Sequence, residues 1–385
     1  MRAEPEIAVI GGGIGGLATA AFLHRAGLRS TVYEQARELK EVGAGLVAAP
    51  NLARLLRELD ALPADAVCLD IGWEFRRWQD GTVLSSEDLR ESCEALYGER
   101  TYTVHRADLL AALASALPAD TVRLGKRCVS VEEGERTKVR FADGSSAAAD
   151  VVIGADGVHS TVRAALFEAA PPAYSGLCAF RALVPASDAP SLARRRAQTL
   201  WIGPGHHLVH YPVSGGRLVN LVAFAPAGEF SVESWTATAT AEEFLAEFDG
   251  WDPRLVELIR AGGTPGRWAL LDRPPLERWS RGRVTLLGDA AHPMFPFFGQ
   301  GAAQSVEDAA VLARCLASLS PVDALRRYEV LRMPRTAQLQ VASRGRAEVN
   351  HLPDGSAQVA RDAAFAVGDP LRDNAWIYGY DAFVA

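Results

Sequence analysis

The sequence has no charge-free apolar run long enough to cross a bilayer. Its longest candidate, Ile7 to Leu23, is rich in glycine, falls short of the roughly 20 residues a helical span needs, and lacks a strong basic flank. That stretch is expected instead to be the buried start of a strand–turn–helix unit. Basic charge is not in excess either. A net charge of −7 argues against nonspecific nucleic-acid binding, which needs a surface that neutralises phosphates. The five cysteines, Cys68, Cys93, Cys128, Cys178 and Cys315, are odd in number and widely spaced, so neither a zinc cluster nor a redox pair is expected and no metal site is assigned. A reducing cytoplasm is the expected setting. No internal repeat, low-complexity tract or long charge block is present, and the one arginine triplet, Arg194 to Arg196, reads as a solvated face.

What is there suits a folded, enzyme-sized protein. At 385 residues and 49% hydrophobic, the chain can bury a large core and is expected to form two domains. The apolar run Ile7-Ala8-Val9-Ile10 leads into Gly11-Gly12-Gly13-Ile14-Gly15-Gly16 and then a helix-like stretch from Leu17 to Arg25. Glycines at the first, third and sixth positions allow a tight turn, close approach to a pyrophosphate and close helix–strand packing. Glu34 follows the strand-like Thr31-Val32-Tyr33, about where an acid binds the ribose hydroxyls of an adenine dinucleotide. This is the only such fingerprint in the chain.

A second motif lies far downstream, Gly288-Asp289-Ala290-Ala291-His292-Pro293 continued by Pro296-Phe297-Phe298-Gly299-Gln300-Gly301-Ala302, ahead of a helical pattern from Gln304 to Leu316. An acid after a strand can hold a polyhydroxylated cofactor tail, and a glycine turn opening a helix aims N–H groups at negative charge. Between the two motifs, a helix is expected from Arg106 to Leu117, strand material from Val122 to Val131, a hairpin turn at Phe141 to Ser145, and a buried strand from Asp150 to Gly154 with a helix starting near His159 or Ser160. From about Tyr174 to Ala225 four β-rich segments are separated by turns at Gly203-Pro204-Gly205 and Ser214-Gly215-Gly216. The fold class is α/β, a Rossmann-like cofactor domain (1–70, 105–170 and 275–385) with an inserted β-sheet substrate domain (71–104 and 171–274).

In the segment His207 to Val213, His207 and Tyr211 lie four apart in a strand-like run, so both project from one face with Val209 between them. His206 and His210 fall on the opposite face and are expected to be structural.

Taken in order, four stretches resemble the group A flavoprotein monooxygenases, aromatic hydroxylases with the p-hydroxybenzoate hydroxylase fold. They are Gly11 to Gly16 with Glu34, Val104 to Leu109, Gly154-Ala155-Asp156-Gly157 with Ser160 and Arg163, and Gly288 to Gly301. Trp201 to Gly205, His207 to Pro212 and Trp376 to Asp381 look most like the branch of salicylate and 3-hydroxybenzoate hydroxylases and 6-hydroxynicotinate monooxygenase.

The resemblance implies bound FAD, with its pyrophosphate near Gly11, Gly13, Ile14, Gly15 and Gly16, and with Glu34 on the adenosine ribose. It also implies Arg106 near the phosphate and ribityl chain, Asp289 on the ribityl or pyrophosphate region, and the backbone at Gly301 and Ala302 near the flavin pyrimidine edge. Gln35 and Val129 are assigned to the cofactor site with them. Reduced flavin is anionic, so N–H groups at a helix start favour it. NADH or NADPH would visit without a domain of its own, and O2 would react to give a C4a-hydroperoxyflavin that hydroxylates a small phenolic or heteroaromatic ring.

His207 and Tyr211 look like the His–Tyr pair of that branch and would ionise the phenol. The other reading is a hydrogen-bonded wall histidine and a packing aromatic. Pro293 would shape the flavin's reactive face, with His292 shaping the loop. Arg181 would pair a substrate carboxylate, or form a structural ion pair. Phe297 and Phe298 would line an apolar pocket, or pack the core. Two other functions fit the same motifs: a flavin oxidoreductase without oxygenation, and a non-catalytic flavin-binding protein.

Overall fold

The computed structural model describes residues 5–39, 44–167, 173–228 and 237–384. The apolar runs Ile7–Ile10 and Val151–Gly154 are neighbouring parallel strands with every residue buried, as expected of a sheet covered on both faces. They form the centre of a six-stranded sheet that continues through Ser30–Tyr33 to Val122–Arg123 on one side and through Val284–Leu286 to Ser280–Arg281 on the other. Only the pair Ser280–Arg281 and Val284–Leu286 is antiparallel. The helix Ile14–Arg25 packs against the helix Gly301–Ser318, so the two glycine motifs meet although they are far apart in sequence.

Local expectations are met at most elements. Helix Arg106–Ser115 follows strand Tyr102–His105, and the Phe141 to Ser145 turn joins antiparallel strands Thr137–Phe141 and Ser146–Ala149. Ser160 caps helix Thr161–Leu166, its hydroxyl accepting from the N–H of Arg163 at 2.9 Å.

A seven-stranded mixed sheet runs Gly266–Asp272, Ala173–Pro185, Leu218–Pro226, His206–Val213, Ala197–Gly203, Ile71–Arg77 and Val83–Asp88. Registers across it are regular at the centre. Arg181 pairs with Val222, which pairs with Val209, so the three side chains stand in one rung on one face. His207 and Tyr211 flank that rung on the same face.

The helix Pro321–Asn350, of 30 residues, packs along the helix Gly301–Ser318 and the turn Pro296–Phe298 and ends against the turn Gly203 to Gly205, where the N–H of Gly205 donates to the carbonyl of His351 at 3.0 Å. The arginine triplet is not simply a solvated face. Arg195 lies 3.0 Å from the buried carboxylate of Glu74, which Arg76 also pairs at 2.9 Å, and Arg196, though exposed, donates to the carbonyl of Cys68 at 2.7 Å. All five cysteines are free. Among the described residues, no helix is long and apolar enough to cross a membrane.

Candidate active site

A cavity of about 330 Å³ lies between the two sheets. Gly13, Ile14 and Gly15 line one end; Asp289, Gly301 and Ala302 line it nearby; His207, Tyr211 and Arg181 line it from the seven-stranded sheet. Arg106, Pro293 and Phe297 border it as well.

Two helices point their N-termini at this space. Gly13 opens the helix Ile14–Arg25 and Gln300 opens Gly301–Ser318; among the described residues neither has a side-chain cap or an acid in its first turn. Their first N–H groups are thus left for an anion, and both helix dipoles favour one. A Cβ on Gly13 would meet nothing within 4 Å, so its missing side chain serves what enters the cavity. Gly16 is different, since a Cβ there would stand 1.9 Å from the carbonyl oxygen of Gly11. Gly11, at φ +109, lies so close to Ala155 that a Cβ would come within 2.3 Å of its oxygen. Glu34 accepts from the N–H groups of Gly12 at 2.6 Å and Ala36 at 2.8 Å, which tethers its carboxylate beside the glycine turn. These features fit a dinucleotide carrying a pyrophosphate.

Asp289 is exposed toward the cavity and its backbone is pinned from behind. Arg163 donates to the carbonyls of Ala290 at 2.9 Å and Asp289 at 3.5 Å. Asp156 holds that region in turn, accepting from Ser160 at 2.5 Å and from the N–H of Val162 at 3.1 Å. Behind the turn 288–292 lies a buried charge network. Asp308 contacts both His292 at 2.6 Å and Arg332 at 2.7 Å, while Glu307 binds Arg332 and Arg335 at 2.7 Å each. Burial alone would raise the Asp308 carboxyl, but His292 and Arg332 hold it at about 2. His292 is thereby a loop-shaping residue.

On the sheet side, His207 is buried, stacked on Phe224 at 4.5 Å between ring centres and edge-on to Phe297 at 5.2 Å. Burial, with His351, Arg346 and His206 nearby, pushes its imidazole well below the usual histidine value. Burial pushes the Tyr211 phenol well up, with Arg181 opposing. The Arg181 guanidinium lies 4.4 Å above the Trp268 ring. On the other face, His210 accepts from Trp201 at 3.1 Å and His206 pairs with Glu247 at 2.9 Å, both structural.

Several expected site residues do not line this cavity. Phe298 does not line this cavity: it turns back edge-on to Trp73 at 6.1 Å, because the short turn Pro296–Phe298 directs neighbouring rings to different sides. Val129 is 45% exposed on the strand Cys128–Glu132, and Gln35 is exposed; neither lines the cavity. Gly11, Gly16 and Glu34 shape the glycine turn from outside it. Sequence reading missed Gly45 and Trp268. A Cβ on Gly45 would stand 2.6 Å from the Tyr211 ring, a close approach that a glycine heading the strand Gly45–Ala48 only hints at.

Residues 4–342 match the family described as FAD binding domain. The chain is 45% identical to a 3-amino-4-hydroxybenzoate 2-monooxygenase of Streptomyces platensis over 98% of this chain and 97% of that protein. It is 36% identical to the 6-hydroxynicotinate 3-monooxygenase of Bordetella bronchiseptica over 100% and 97%. Among solved structures, a salicylate hydroxylase in complex with its substrate superimposes with a TM-score of 0.82 at 28% identity, covering 100% of this chain and 97% of that one.

Proposed function

The chain belongs to the FAD binding domain family, as an FAD-dependent aromatic monooxygenase, and we propose that its substrate is a hydroxylated aromatic carboxylate of the aminohydroxybenzoate kind. One observation carries this reading: a cation, Arg181, and the pair His207 and Tyr211 face the same cavity as two uncapped helix N-termini. An arginine suits a ring carboxylate, since its planar fork offers two parallel N–H donors. His207 and Tyr211 suit a ring hydroxyl, lying at either side of the Arg181–Val222–Val209 rung. The relatives named above act on 3-amino-4-hydroxybenzoate and 6-hydroxynicotinate, rings that bear a hydroxyl.

In this reading the residues 1–70, 105–170 and 275–385 hold FAD and the sheet of 71–104 and 171–274 holds the substrate. Gly13, Ile14 and Gly15 take the pyrophosphate, Glu34 the adenosine ribose, and Arg106 and Asp289 the chain between phosphate and ring. The backbone of Gly301 and Ala302 meets the flavin's pyrimidine edge. When bound, FAD carries electrons from NAD(P)H to O2 and so supplies the oxygen chemistry. The protein's part is to dry and orient the ring. Phe224 and Phe297 exclude water beside His207. His207, neutral because burial opposes its charge, accepts the phenol proton, which pushes electron density into the ring under attack. Tyr211, kept protonated, donates a hydrogen bond to the oxygen that remains. A cytoplasmic location, in keeping with five free cysteines, belongs to the same proposal.

The test is FAD-loaded protein with NADH or NADPH and isotopically labelled O2, offered 3-amino-4-hydroxybenzoate, 6-hydroxynicotinate, 3-hydroxybenzoate and salicylate. A hydroxylated product carrying the label is expected with the aminohydroxybenzoate. Nicotinamide oxidation without label in any product would instead make it a flavin oxidoreductase.

A further inference from the structure

His207 does not end in the cavity wall. Its Nδ1 lies 2.6 Å from Nε2 of His351, with ring centres 4.8 Å apart, and His351 is half-buried just ahead of the exposed residues Pro353, Asp354 and Gly355. The contact is built, since the helix Pro321–Asn350 delivers His351 and the Gly205 N–H fixes its carbonyl at 3.0 Å. Two neutral imidazoles can share one proton only if one donates and the other accepts. With the proton on Nδ1 of His207, its Nε2 keeps a lone pair for the substrate.

We propose that His351 is a relay residue that carries the substrate's phenolic proton from His207 to solvent, so that the buried base is never left charged. The proposal rests on the reading of His207 as the base. The steps balance. The phenol O–H breaks as Nε2–H forms on His207; the Nδ1–H of His207 breaks as Nε2–H forms on His351; the Nδ1–H of His351 passes to water. When the product's ring oxygen takes a proton back, the same steps run in reverse and restore both tautomers. No oxidant or reductant takes part.

The surroundings agree with transit rather than storage. Charged and titratable groups around the pair are Arg346 on the long helix and His206 on the strand, the latter bound to Glu247. Burial, with His206 adding to it, holds His351 at about 4, so neither imidazole keeps a second proton at neutral pH.

The test measures ionisation of bound 3-amino-4-hydroxybenzoate by absorbance after a pH jump, without O2 or NAD(P)H, in FAD-loaded protein. His351→Gln, which keeps a hydrogen-bonding side chain but cannot pass a proton, and His351→Ala should each slow it by about tenfold or more. Imidazole in the buffer should restore the rate in His351→Ala and not in His351→Gln. If both His351 variants ionise substrate at the parental rate while His207→Gln is slow, the relay is wrong and the base reading stands. If His207→Gln is as fast as the parent, the base reading itself fails and the relay falls with it.

Discussion

Asp308 Oδ2 lies 2.6 Å from Nε2 of His292, and the same oxygen accepts the N–H of Gly288 at 3.1 Å. One carboxylate from the helix behind the cavity thus fixes both ends of the turn that presents Asp289. Its charge is balanced by Arg332, which is fully buried. Removing one partner from a buried ion network leaves the other uncompensated, at about 3–5 kcal/mol. Arg332→Met should therefore lower the unfolding free energy by that order, bring the denaturant midpoint down with it, and weaken FAD retention through the displaced turn. An unchanged midpoint in chemical denaturation contradicts this account.

The glycine turn separates a binding role from a folding role. Gly13→Ala adds a methyl that meets nothing in the protein, at φ −73, so apoprotein stability should hold while FAD affinity, measured by flavin fluorescence, falls. Gly16→Ala drives its methyl into the Gly11 carbonyl and should instead reduce soluble, folded protein. Equal effects on stability from the two variants would remove the distinction.

Arg181→Met tests the carboxylate partner. Loss of a charge-assisted pair costs about 1.5–3 kcal/mol, so KM for a carboxylated ring should rise roughly 10- to 100-fold. Turnover of a phenol without a carboxylate should change little. Arg181→Lys should recover only part of the loss, because an ammonium lacks the planar fork. A KM change of the same size for both rings would assign Arg181 to packing on Trp268.

Acid sensitivity follows from the histidines. His207 is held far below 6.5, His210 at about 3 and His351 at about 4, burial being the first cause in each. Below pH 6.5 the unfolded chain takes up protons that the folded chain refuses, so stability present above that pH is lost progressively as pH falls toward 4. Asp308, depressed to about 2, adds a loss that begins below its ordinary value near 3.8. Glu87, raised to about 8 by burial, works in the opposite sense, so thermal midpoints should climb from pH 8 to about 6.5 and decline below it, where the three histidines outweigh one carboxyl. A midpoint that rises as pH falls from about 6.5 to 4 contradicts the histidine burials.

Much of the fold was legible because its signals are local. Glycine spacing after Ile7–Ile10, the Phe141 to Ser145 turn and the Ser160 cap depend on backbone geometry within a few residues. Alternation along a strand likewise put His207 and Tyr211 on one face and His206 and His210 on the other. What alternation cannot supply is the partner across space. His351 lies 144 residues from His207, and only the course of the long helix brings them together. Neighbouring Phe297 and Phe298 differ in role through a turn no periodicity describes. The pairing of Glu307 and Asp308 with Arg332 and Arg335 likewise joins side chains that no local pattern relates. Sequence by itself determined the two glycine turns and the shared facing of His207 and Tyr211, since short-range sterics and strand alternation dictate both. Tertiary structure alone decided the contact of His207 with His351 and the buried charge balance, since burial and pairing at a distance are properties of the packed whole.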